Sequence, residues 1–206
     1  LAAVQLKGSG QRAETATDSQ RANNVPGEPG IWVFIFGDLL LFAYIFLLYL
    51  YYRSHDPELF ARWQRHLNTD LGVAYTLLLL TSSLFVVFAL RRIRLGNNRT
   101  APRLVLGAMG CGIAFASIKV LEYYTKVHAG ITPATNDFNL FYYILTGLHL
   151  VHVSIGLGVL GFMWRLARRA PDLSPLQLHL AEGCACFWHM VDLLWLVIFP
   201  LLYLVR

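Results

Sequence analysis

Apolar residues in this chain gather into five long blocks, over residues 31–52, 71–93, 104–127, 140–166 and 181–205, separated by short polar connections. Each block reaches the roughly 20 residues that an α-helix needs to cross the hydrocarbon core of a bilayer. A segment in lipid must satisfy its own backbone hydrogen bonds, so the pattern predicts an all-α, integral membrane bundle of five transmembrane helices over residues 29–206. Residues 1–28 are polar, rich in Gln, Asn, Ala, Ser and Thr, and carry no apolar run of signal-peptide length, so they read as a flexible tail. Pro29 suits a helix start, where its missing N–H loses no bond.

The connection over 53–70 has a pattern of its own. Asp56 and Pro57 open it, and Leu59, Phe60, Trp63 and Leu67 recur at helical spacing. This predicts a short helix lying at the interface.

Composition agrees with the blocks: of 206 residues, 56% are hydrophobic and only 14% charged. The placement of the basic residues predicts an orientation. Lys7, Arg12, Arg21, Arg91, Arg92, Arg94, Arg99, Arg103, Arg165, Arg168 and Arg169 fall on one side, whereas Arg53, Arg62, Arg65, Lys126 and Arg206 fall on the other. The positive-inside rule then puts the N-terminus in the cytoplasm and the C-terminus outside. The net charge of +5 therefore reports topology and anionic headgroups, not nucleic acid. Cys111, Cys184 and Cys186 read as small buried hydrophobes.

Ionisable residues inside the blocks are the candidate chemistry. A charge at the bilayer centre costs on the order of 3 kcal/mol or more unless paired, so each is a functional candidate by default. Asp38 lies in the first block, Lys119 and Glu122 in the third, His149 and His152 in the fourth, and Glu182, His189 and Asp192 in the fifth. Lys119 and Glu122 are three apart and share a helix face, as do His149 and His152, and His189 and Asp192. Glu182 and His189, seven apart, return to nearly the same angular position. Stripes of this kind face a bundle interior.

Each group has a bland and a sharp reading. Lys119 and Glu122 form an internal ion pair or part of a proton relay. Asp38 has no partner in its own helix and must be protonated or paired across helices. His149 and His152 serve as interhelical hydrogen-bond donors, or with Glu182 and His189 as ligands of a metal or haem iron. Gly156, Gly158 and Gly161 permit close helix contact.

Several separated motifs, in order, resemble subunit III of haem-copper oxidases: Phe141-Tyr142, the run Thr146-Gly147-Leu148-His149-Leu150-Val151-His152-Val153, His179-Leu180-Ala181-Glu182-Gly183, and Phe187-Trp188-His189-Met190-Val191-Asp192-Leu193-Leu194-Trp195. Glu122-Tyr123 resembles that family's Glu-Tyr pair. The usual subunit III has seven spans, and this chain resembles the last five. Asp38 stands where oxidase subunits have a Glu that reacts with carbodiimide. Gly27-Glu28-Pro29-Gly30-Ile31-Trp32, Lys119-Val120-Leu121-Glu122-Tyr123 and Gly130-Ile131-Thr132-Pro133-Ala134-Thr135-Asn136 are most similar to the five-helix members associated with nitric oxide reductase in denitrification, the NorE type.

The resemblance implies an accessory subunit with no catalytic residue, haem or metal of its own, and a bound phospholipid. It implies a place in a bacterial inner membrane, beside the catalytic subunit of a haem-copper oxidase or nitric oxide reductase. There the subunit supports assembly, stability and proton uptake in respiratory electron transport. Asp38, Lys119, Glu122, His149, His152, Glu182, His189 and Asp192 would form its intramembrane polar network. The competing readings are a small proton or cation transporter, for which the sequence shows no inverted repeat, and a membrane redox protein with a His-ligated metal.

Overall fold

A computed structural model describes residues 29–65 and 67–204. The tail expected over 1–28 lies outside the described residues. Five long helices correspond to the five apolar blocks: α1 (Pro29–His55), α3 (Thr69–Arg94), α4 (Ala101–His128), α5 (Asp137–Ala167) and α6 (Pro175–Phe199). The short helix α2 (Pro57–Gln64) fills the first connection, as its spacing predicts. The protein is thus a multi-pass helical membrane bundle.

Every long helix starts ahead of its apolar block, and at α3, α5 and α6 a polar N-cap sets that start. The Asp56 side chain accepts from Leu59 N–H to start α2, and Asn68 accepts from Asp70 and Leu71 N–H to start α3. Asn136 accepts from Asn139 N–H to start α5. A reciprocal capping box between Ser174 and Gln177 starts α6 two turns ahead of its apolar stretch.

Helices α3, α4, α5 and α6 form a ring in which each packs on two neighbours, and α1 lies outside it against α5 and α6. Burial follows that arrangement: 61% of the apolar window of the last span is enclosed, against 22% for the first. Val33, Phe36, Leu40, Tyr44 and Leu47 of α1 are exposed, the face a lipid-contacting helix presents.

Trp188 of α6 is fully buried and fixes the middle of the ring. A Cβ at Gly112 of α4 would lie 2.8 Å from its Cη2, and one at Gly156 of α5 2.8 Å from its Cε3. Gly158 and Gly161 have no neighbour within 4 Å of a built Cβ. Of the three glycines picked out by spacing in the fourth span, only Gly156 carries a close contact.

Pro200 has no N–H to continue α6, and the chain widens into a π turn over Pro200–Leu204. The Leu201 carbonyl in that turn accepts from the Tyr49 hydroxyl at 3.2 Å and from Gln64 Nε2 at 3.3 Å. Side chains of α1 and α2 thereby satisfy a backbone group of the last helix, as a low-dielectric surrounding demands.

Candidate functional site

The intramembrane polar groups separate into three clusters. The first joins α1 to α5. His152 Nε2 lies 2.8 Å from Asp38 Oδ1, and its Nδ1 lies 2.8 Å from the Leu148 carbonyl oxygen. The Phe42 ring meets His152 edge-on at 5.4 Å, and both polar side chains are buried. Asp38, which lacks a partner in its own helix, finds one across the helix gap.

The second cluster surrounds Glu122. Its Oε2 accepts from Lys119 Nζ and the Tyr75 hydroxyl, each at 2.9 Å. Its Oε1 accepts from the Tyr142 hydroxyl at 2.6 Å and pairs with Lys126 Nζ at 3.3 Å. Lys119, only 1% exposed, reaches the Tyr203 hydroxyl at 3.2 Å and stands 4.7 Å from the Tyr75 ring centroid. Lys126 Nζ lies 3.7 Å over the Tyr142 ring. One carboxylate thus pairs with two ammonium groups inside a cage of tyrosines. The sequence motif pointed to Lys119 and Glu122. It did not point to Lys126, Tyr75, Tyr142 or Tyr203, which come from other turns and helices.

The third cluster is the seam between α3 and α6. Trp188 Nε1 donates to Ser82 Oγ at 3.1 Å, and Trp195 Nε1 donates to Thr76 Oγ1 at 3.1 Å. Ser83 Oγ bonds His189 Nδ1 at 2.6 Å. Asp192, 4% exposed, makes no hydrogen bond through either oxygen, and Ser83 is the polar group beside it. Near the basic end of the seam, Glu182 Oε1 accepts from Arg94 Nη2 at 2.8 Å and Nε at 3.1 Å. His179 Nδ1 approaches the other oxygen of Glu182 at 3.4 Å. Hydroxyls of the second span, which has no Asp, Glu, His, Lys or Arg between Leu71 and Leu90, supply the partners of Trp188, Trp195 and His189. Their signal was present as Thr76, Ser82 and Ser83 in an otherwise apolar run.

His149 belongs to none of these. Its ring packs 5.6 Å from Phe115 and 5.3 Å from Trp195, is fully buried, and neither nitrogen has a partner. His149 and His152 therefore do not converge. Among the described residues, no three His, Cys, Asp or Glu side chains come together in a metal-holding group. The arrangement can hold helices in register and carry protons locally between hydrogen-bonded partners.

The model of the family described as cytochrome c oxidase subunit III matches residues 16–205. Cytochrome c oxidase subunit 3 of Synechocystis is 30% identical over 176 residues, covering 85% of this chain and 74% of that protein. The probable cytochrome c oxidase subunit 3 of Nocardia farcinica is 28% identical over 178 residues, 86% of this chain and 87% of the other. Quinol oxidase subunit 3 of Bacillus subtilis is 26% identical over 182 residues, 85% of each.

Proposed function

Because this chain belongs to the cytochrome c oxidase subunit III family, we propose that it is a cofactor-free accessory subunit of a respiratory haem-copper oxidase in a bacterial inner membrane. In this reading it braces the catalytic subunit and supports its assembly, stability and proton uptake. One observation carries the proposal: relatives named for cytochrome c oxidases and for quinol oxidases each match 85 to 86% of the chain. What they share does not depend on the electron donor, which fits a bracing role rather than a donor site.

The polar clusters support it further. Asp38 with His152 and Glu182 with Arg94 find their partners across helices, and Glu122 finds Lys119 and Lys126 along its own helix. Groups occupied in this way hold a bundle rigid. In the membrane, the N-terminus and the basic connections after α3 and α5 face the cytoplasm.

Copurification tests the proposal. A tagged chain extracted in mild detergent from its native membrane brings down a haem-copper catalytic subunit, while the isolated chain shows no haem absorbance and no stoichiometric iron or copper. One bound metal per chain, lost in a His149→Ala and His152→Ala double variant, would overturn it in favour of a redox protein. Saturable cation transport by proteoliposomes of this chain alone, abolished by Asp38→Asn, would favour a transporter.

A second reading makes the parent complex a nitric oxide reductase, on the Gly130-Ile131-Thr132-Pro133 stretch and its neighbours. Five spans do not favour it. The 178 matched residues are 87% of the Nocardia farcinica oxidase subunit, leaving too little chain there for two further spans. Identifying the copurified large subunit, and whether the complex consumes oxygen or nitric oxide, decides between them.

A further inference from the structure

Oxidisable rings follow one another from the interior of the bundle toward the end that carries α2. Trp195 of α6 is 1% exposed and meets Tyr75 of α3 edge-on, with 5.8 Å between ring centroids. Tyr75 and Tyr142 of α5 then donate to different oxygens of one carboxylate, Glu122 of α4, at 2.9 and 2.6 Å. Tyr142 meets Tyr143 edge-on at 5.5 Å. Tyr143 is half-buried, and its hydroxyl donates to the Ile131 carbonyl in the connection between α4 and α5 at 2.9 Å.

An ion pair between Glu122 and its lysines needs none of these phenols. What the arrangement adds is a base at a buried phenol. A tyrosine that loses an electron in a low-dielectric interior becomes a new unpaired charge, which is costly unless its proton leaves as well. The phenolic proton of Tyr142 already points at Glu122 Oε1. The oxygen left behind keeps a hydrogen-bond donor, Lys119 Nζ at 3.4 Å. Lys126 pairs with the same Glu122 oxygen at 3.3 Å and is 17% exposed, so it joins the carboxylate to water.

We propose that Tyr142 is a one-electron redox site, reached from the surface through Tyr143 and continued inward by Tyr75 and Trp195. The oxidant is of the peroxyl-radical class. It takes one electron from Tyr143 and one proton from water and becomes a hydroperoxide. Tyr142 returns an electron to Tyr143, which keeps its proton on the Ile131 carbonyl. The phenolic proton of Tyr142 passes to Glu122, and Lys126 releases one proton to water. Tyr142 ends as a neutral phenoxyl radical, and the net charge of Glu122, Lys119 and Lys126 together is unchanged. A thiol-class reductant at Tyr143 reverses the step, supplying one electron while a proton returns from water. The site lies wholly within this chain, so it stands or falls separately from the accessory-subunit reading.

Flash oxidation of the purified full-length chain in mild detergent provides the test. A water-soluble ruthenium tris-bipyridine complex, converted to its one-electron-oxidised form by light and persulfate, is the probe. The product is read by phenoxyl absorption and by electron paramagnetic resonance of frozen samples. The parent chain should give a tyrosine radical that outlives free tyrosine radical in the same detergent. Tyr142→Phe keeps the ring, leaves Glu122 its bonds to Lys119, Lys126 and Tyr75, and should lose most of the long-lived signal. Tyr143→Phe should slow the appearance of the signal. Tyr51→Phe, an exposed ring stacked on His55 of α1, should leave it unchanged.

An equal yield of long-lived radical in Tyr142→Phe and the parent chain would overturn the proposal. So would a parent chain whose radicals decay as fast as free tyrosine radical, the result expected if the phenols serve only to brace the helices. Should Tyr142→Phe fail to fold, a fluorinated tyrosine incorporated at position 142 decides alone: fluorine splitting in the resonance places the radical there, and its absence places it elsewhere.

Discussion

His152 donates Nδ1–H to the Leu148 carbonyl at 2.8 Å, and this fixes what its other nitrogen can do toward Asp38, 2.8 Å away. A carbonyl oxygen only accepts, so the Nδ1 proton is committed. One further proton then lies between Nε2 and Oδ1, on the histidine or on the acid. In both placements the pair has zero net charge, which is how the bundle tolerates a carboxyl and an imidazole at this depth.

Removing either partner should therefore cost far more than removing both. Asp38→Ala leaves an unpaired imidazole, His152→Ala leaves an unpaired carboxyl, and each is expected to destabilise by about 3 kcal/mol or more. The Asp38→Leu and His152→Leu double variant should recover most of that loss. Thermal unfolding of the four proteins of this double-mutant cycle in one detergent reads the coupling. Additive losses would show that the two groups do not act as a pair.

Glu122 should be the least replaceable member of its cluster. It accepts from Lys119, Lys126, Tyr75 and Tyr142 together, so Glu122→Ala leaves two ammonium groups with no counter-charge. The expected loss is about 3 to 5 kcal/mol. Lys126→Ala removes one of four donors from the cluster's outer edge and is expected to cost about 1 kcal/mol. The combination of Lys119→Met with Glu122→Gln should be milder than Glu122→Ala, because it leaves one ammonium group without a counter-charge, Lys126 at the partly exposed edge, instead of two. Midpoints of thermal unfolding rank the three variants.

Trp188 gives a prediction with its own control. The indole is held between Gly112 and Gly156 while its N–H bonds Ser82, so it cannot swing aside without losing that bond. Gly156→Ala should overpack this contact and cost about 1 to 3 kcal/mol. Gly158→Ala, two residues along the same helix with open space at its Cβ, should be neutral or slightly stabilising. Equal effects at the two positions would mean that the ring is not closed around Trp188 in this way.

The five spans were legible because length and apolarity suffice to identify a lipid-crossing helix. The pairing of Lys119 with Glu122 was legible because three residues on one helix bring two side chains together. The partner of Asp38 was not, because it depends on how α1 docks against α5, and periodicity within a helix says nothing of that. Likewise Thr76, Ser82 and Ser83 bear no charge and stand out little in an apolar run, yet they receive both indoles and His189. Glu182 and His189 do share a groove, as their spacing of seven suggests. The identity of Arg94 as the Glu182 partner came only from the antiparallel packing of α3 and α6.

His149 and His152 look equivalent in sequence and should respond in opposite ways. His152 has both nitrogens engaged, whereas His149 sits among Phe115 and Trp195 with neither nitrogen bonded. A buried polar group without a partner is a desolvation cost, and an apolar side chain of similar volume in its place is neutral or stabilising. His149→Leu should therefore leave the unfolding midpoint unchanged or raise it, while His152→Leu strands Asp38 and lowers it by an amount worth about 3 kcal/mol. A large loss in His149→Leu would show that the packing of the imidazole against Phe115 and Trp195 outweighs the cost of its unbonded nitrogens.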